Sequence, residues 1–261
     1  MKKKILSLCL VVALAATAII GGTLAYFTDT DNATNTFTTA NVKIDLIEQQ
    51  RNDDGTALED FDNGKVLYPI AGSAQGEKDQ FGLPTAENYV DKIVTVKNLA
   101  SDAYVRVYYA IPEALDNVTD AGKNVLHVNE GNKFVADGGK TNGDDINADF
   151  TANMGKETLL TTAYEINGVK YNIYYRDYNK VMAKDDVTGS AFIVGLYLDK
   201  GVDYNNKTQK YTINGTDIDF DFSNGVSTPV FAVGVQSQGF DTCAAAVEAA
   251  FGANYNPWAA K

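Results

Sequence analysis

Apolar and polar residues alternate with a period of two along most of this chain, the spacing of strands with one buried face. In "VKIDLIE" (Val42 to Glu48), Val42, Ile44 and Leu46 stand against Lys43 and Asp45. "DKIVTVKNL" (Asp91 to Leu99) and "AYVRVYYAI" (Ala103 to Ile111) follow, and the "ASD" between them predicts that the two pair as a hairpin. "LLTTAYEINGVKYNIYYRD" holds Asn167-Gly168 between two β-prone runs, a dipeptide that tolerates positive φ at both turn positions. "AFIVGLYLD" (Ala191 to Asp199), "QKYTINGTDIDFDF" (Gln209 to Phe222) and "PVFAVGVQSQ" (Pro229 to Gln238) bring the expectation to roughly eight to ten strands. The period changes to that of a helix near the end, in "FDTCAAAVEAAFG". There Asp241 can cap the first turn, Gly252 can close the helix, and Cys243, Val247 and Phe251 share one face. Many short strands with a single short C-terminal helix predict an all-β fold, an antiparallel β-sandwich.

Two polar stretches interrupt this pattern, Gln49 to Lys65 and Val135 to Glu157, both rich in Gly, Asn and Asp. They read as long surface loops rather than linkers, because neither cut leaves a complete set of strands on each side. Residues 42–261 are therefore expected to form a single domain.

The N-terminus follows another pattern. Lys2, Lys3 and Lys4 precede "ILSLCLVVALAATAII" (Ile5 to Ile20), and Gly21-Gly22 ends the apolar run. A basic segment, a short apolar helix and small residues at Thr23 and Ala25 predict a secretory signal over residues 1–25, cut before Tyr26 or before Phe27. The run is short for a membrane span, which takes about 20 apolar residues, so contact with the membrane is expected only through the uncleaved signal. Loss of the signal lysines from the 22 basic residues leaves 19 against 34 acidic ones, moving the net charge from −12 to −15. Such a charge makes nucleic acid an unsuitable partner. Cys9 leaves with the signal, so Cys243 has no partner for an internal disulfide and reads as a small core residue.

Candidate chemistry is sparse. Asp145, Asn147 and Asp149 alternate like the first oxygen ligands of a calcium loop, but Phe150 stands where the turn glycine belongs and Lys156 where the closing glutamate belongs. The alternative is a solvated acidic loop, and calcium is the one metal the pattern leaves open. His127 is the sole histidine, so no pair of histidines one helical turn apart can hold zinc. Tyr104, Tyr108, Tyr109, Tyr171, Tyr174 and Tyr175 crowd two strands, where they either stack on sugar rings or form cross-strand pairs within a sheet.

The segment after the signal, "FTDTDNATNTFTT", puts Thr28, Thr30, Thr34, Thr36 and Thr38 on one parity and Phe27, Ala33 and Phe37 on the other. Threonine favours extended backbone, and the segment has too little apolar surface to collapse by itself. It is expected to need a sheet edge, either its own or a neighbour's.

Taken together, the signal and "GGTLAYFTDTDNATNTFTTANVKIDL" resemble the export signal and first strand of the TasA and camelysin family. "ENYVDKIVTVKNLASDAYVRVYY" (Glu87 to Tyr109) and the closing "VQSQGFDTCAAAVEAAFG" are similar to later landmarks of that family. The resemblance implies a secreted sandwich of jelly-roll type in the extracellular matrix or at the cell surface, processed by a SipW-type signal peptidase. Its partners would be copies of itself or related matrix subunits. Residues 26–41 would then be a donor segment that completes a sheet of the next subunit, with Phe27, Thr28, Thr30, Ala33, Thr34, Thr36, Phe37 and Thr38 carrying the exchange. A monomeric surface module binding glycan or protein is the alternative. Camelysin-like members have also been described as metallopeptidases, an activity for which this sequence shows no ligand set; neither catalytic residue nor cofactor is expected.

Overall fold

The computed structural model describes residues 28–31, 42–71, 79, 83–116, 124–130, 135–136, 140–141 and 148–259. Two five-stranded sheets face each other, and every strand pair in them is antiparallel. Sheet I has the order β1 (Thr28–Asp31), β15 (Val230–Gln236), β5 (Ala103–Pro112), β10 (Val169–Met182), β9 (Thr158–Ile166). Sheet II runs β3 (Leu58–Asp60), β2 (Ile44–Arg51), β4 (Val90–Asn98), β11 (Ile193–Leu198), β6 (Leu126–Asn129). Two smaller sheets stand apart in the pairing: β12 (Val202–Asn205), β13 (Lys210–Ile213) and β14 (Thr216–Asp217) form a meander, and β7 (Val135–Ala136) pairs with β8 (Lys140–Thr141).

The period of two explains why the sheets close on each other. Val94, Val96, Ile193 and Leu196 of sheet II meet Val105, Val107, Tyr109, Tyr174 and Tyr178 of sheet I in one buried cluster. Burial of such side chains is worth about 1.5–3 kcal/mol each. Strand β5 is buried at all ten positions because its other face is covered too. There Tyr104, Tyr108, Phe231, Val233 and Val235 pack under helix α2 (Cys243–Phe251).

Several expectations need correction. The strands on either side of "ASD" do not form a hairpin: β4 lies in sheet II and β5 in sheet I, so the turn crosses between layers. Asn98 makes that corner, its side chain donating to the carbonyls of Ser101 and Met182, both at 2.8 Å, while accepting from the Ala100 amide. The stretch from Gln49 is a hairpin of β2 and β3 rather than a long loop. Its turn is held by Asn52 Oδ1, which accepts from the amides of Thr56 and Ala57. The second polar stretch contains a further short helix, α1 (Ala148–Asn153), because Phe150 and Met154, one turn apart, reach the sandwich. The cap of α2 is Thr242, accepting from the Ala245 amide, not Asp241. As expected, Asn167 and Gly168 both take positive φ, 51° and 84°, between β9 and β10, and Asn214-Gly215 does the same between β13 and β14.

Candidate functional site

The segment expected to seek an edge finds one in its own chain. Thr28 to Asp31 pair with Val235 to Ala232, so β1 covers only part of β15. Nothing else among the described residues pairs with β15 on that side, and Val230 and Phe231 extend past Asp31 while pairing inward with Tyr109 and Tyr108 of β5. Beside Val230 and Phe231 lies a cleft of about 520 Å³, lined by these two with Leu46, Phe61, Leu67 and Trp258 and flanked by the Lys92–Glu48 ion pair at 3.0 Å. Strand β15 itself is regular, with no register shift toward either neighbour. Gly234 lets it approach sheet II: a Cβ there would lie 2.7 Å from Ile44 Cγ2 and 3.0 Å from Val42 Cγ1.

Of the donor residues, Thr28 and Thr30 lie in β1. Phe27, Ala33, Thr34, Thr36, Phe37 and Thr38, with the cleavage positions Thr23, Ala25 and Tyr26, lie outside the described residues. Asp145 and Asn147 of the calcium pattern lie there too. The third member, Asp149, is fully engaged within the fold: its carboxylate accepts from Tyr178 Oη and Ser190 Oγ, both at 2.9 Å, and from Asn153 Nδ2 at 2.7 Å. It is a brace that fixes α1 to β10, and a Cβ on Gly189 would lie 2.6 Å from its carboxyl carbon. Among the described residues no three His, Cys, Asp or Glu side chains are grouped to hold a metal.

The tyrosine crowd is core. Tyr104, Tyr108, Tyr109, Tyr171 and Tyr174 are buried and Tyr175 is half-buried, so cross-strand packing, not sugar stacking, is their role. Tyr109 and Tyr174 stack with ring centres 5.6 Å apart.

Tyr109 also leads to a group of charges that the sequence pattern gave no sign of. Its hydroxyl donates to Glu130 Oε1 at 3.0 Å and also contacts Glu157, while Arg176 pairs with Glu130 and donates to the Gly155 carbonyl. One hydroxyl proton cannot serve two carboxylates, so the arrangement calls for a proton on one of the acids. Burial, reinforced by Glu130, raises Glu157 to about 8, while Arg176 keeps Glu130 paired. The residues that form this group come from four separate places in the chain, which is why no local motif announces it.

His127 lies against Tyr197, rings 4.6 Å apart and within 3° of parallel, with its Nε2 2.9 Å from Asp199 Oδ2. Cys243, the first residue of α2, is buried against the sheet, its Sγ 3.3 Å from the Val105 carbonyl, and burial pushes its thiol well above the ordinary range. The small core role expected of it holds.

Residues 1–52 match a family model described as camelysin metallo-endopeptidase. The N-terminal part of this chain is camelysin-like. The match takes in the apolar run, β1 and β2, and stops one residue past Arg51, so the rest of the sandwich lies beyond it. No curated protein and no solved structure matches the chain. The camelysin-like part carries no histidine, and His127 falls outside it. No helix among the described residues is long and apolar enough to cross a membrane.

Proposed function

We propose that this protein is a secreted structural subunit of an extracellular matrix or surface fibre, assembled when the N-terminal segment of one copy replaces β1 on the β15 edge of the next. The observation that carries the reading is the pairing of Thr28–Asp31 with Val235–Ala232: a camelysin-like terminus already serves as an edge strand, held among the described residues by four positions.

The energetics suit exchange. Each main-chain hydrogen bond contributes about 0.5–1.5 kcal/mol, while ordering each residue costs about 1–2 kcal/mol. A four-residue strand is thus close to balance and can leave. Swapping it for an identical strand replaces like with like. Residues 32–41 separate β1 from the residues entering β2, and ten extended residues span up to about 35 Å, enough to reach a neighbour. A donor and an acceptor on every copy make a head-to-tail contact, which grows into a filament when it does not close into a ring. Uptake of Ala33 or Phe37, which follow Asp31 toward Val230 in the same register, into the cleft there would add about 2 kcal/mol if the Phe is buried. Cations would favour growth by screening the acidic surface. Peptidase chemistry is set aside on ligand supply: zinc hydrolysis draws on several clustered ligands, and the sole histidine is engaged with Asp199 and Tyr197.

Comparing chains that start at Phe27 and at Ala40, by size exclusion and electron microscopy, tests the proposal. Filaments from the first and none from the second are expected; filaments from both, or from neither, overturn it.

A further inference from the structure

The meander of β12, β13 and β14 displays what the tyrosine crowd of the sandwich does not. Tyr204 and Tyr211, opposite each other on β12 and β13, are 41 % and 39 % exposed. Four rings run on without a gap: Tyr204 to Tyr211 at 5.1 Å, Tyr211 to Phe222 at 4.6 Å, Phe222 to Phe220 at 4.9 Å between centres. They line a concave surface of about 600 Å³ together with Gln209, Lys210, Asp219, Asp221 and Ser223. The platform is held from behind, since Ile213 and Ile218 are buried in the sandwich core and Phe220 and Phe222 pack against it.

We propose that this surface binds a neutral glycan. Aromatic faces left open to water favour a partner that is apolar on one side and rich in hydroxyls around its rim, as a pyranose ring is. The polar groups stand at that rim: Asp219 and Asp221 can accept from sugar hydroxyls, and the amide of Gln209 can both donate and accept. Asp221 is fixed by the Ser223 amide at 2.9 Å, which holds its carboxylate in place as an acceptor. Charge decides which glycan. The lining carries two carboxylates against one amine, Lys210, which faces Asp217 at 3.9 Å, and the chain has a net charge of −12, so polyanionic sugars are repelled. The volume falls in the usual range for small-ligand sites and suits about two or three sugar rings. The site lies on β12, β13 and the segment after β14, separate from the β15 edge, so it stands whether or not the chain forms fibres.

The test titrates the chain starting at Phe27 with cellohexaose, laminarihexaose and chitohexaose, and with polygalacturonate as the anionic probe, following the amide resonances of residues 203–223. At least one neutral hexasaccharide is expected to bind with perturbations centred on Tyr204, Tyr211 and Asp221, and polygalacturonate is not. Tyr211→Ala should weaken binding at least tenfold and Asp221→Asn about threefold. Tyr211→Phe, which keeps the stacking face and the fold, should stay within about threefold of the parent. Absence of binding by every neutral hexasaccharide, or a Tyr211→Ala variant with an intact meander and unchanged affinity, overturns the proposal.

Discussion

The two edges of sheet I are finished in opposite ways. At β9 the chain is irregular: its register against β10 shifts twice, and Ala163 takes a φ of +53°. The side chain of Asn172 fills the gap, accepting from the Ala163 amide at 3.3 Å and donating to Asp116 at 2.9 Å. Such a bulge twists an edge away from further pairing. At β15 the strand is regular and apolar, and among the described residues four positions pair with it on the outer side without a register shift. One edge is irregular and the other regular, and under the strand exchange proposed above that asymmetry would give growth a direction.

The comparison can be broken at four places, the first three taken from the largest expected effect down. A disulfide between Thr30→Cys and Val233→Cys, which are register partners, ties β1 to its own β15. Oxidised protein should form no filaments and reduced protein should form them again, as counted by electron microscopy. Gly234→Ala places a methyl against the stiff side chains of Ile44 and Val42. This overpacking should cost about 1–3 kcal/mol in urea unfolding, with amide exchange rising along β15. Asn172→Ala leaves the Ala163 amide and Asp116 short of a partner, and should cost about 1–2 kcal/mol, with lost protection confined to β9. The fourth effect shows as a pH dependence and concerns Glu157, which precedes β9. Its folded-state pKa is raised, to about 8, so the proton it holds stabilises the fold fully below the ordinary carboxylate range, and this contribution is lost as pH rises through 8. Melting temperature should therefore fall between pH 6 and pH 9, and Glu157→Gln should flatten that slope.

Local signals were readable where one short stretch decides the structure. Asn167-Gly168 set its hairpin, and the spacing of Cys243, Val247 and Phe251 set the buried face of α2. The sandwich followed from alternation alone. What alternation does not specify is which sheet a strand joins: "ASD" reads as a hairpin turn, yet Asn98 spends its side chain on a corner between layers. Period-two tyrosines look alike whether a face meets water or a helix, so the burial of Tyr104 and Tyr108 depended on α2, more than a hundred residues later. Tyr204 and Tyr211, seven residues apart in a polar context, carry no local signal that they lie opposite each other. The Glu130–Tyr109–Glu157 contact is long-range in sequence and could be found only in three dimensions.

Cys243 opens the C-terminal helix on the face turned to the sheet, with no exposed surface. In a chain that starts at Phe27, where Cys243 is the sole cysteine, a molecule whose helix remains seated is therefore silent to a thiol reagent, and labelling can proceed only as fast as that helix lifts. The rate of modification becomes a stopwatch for the outer layer of the sandwich, read without any engineered probe.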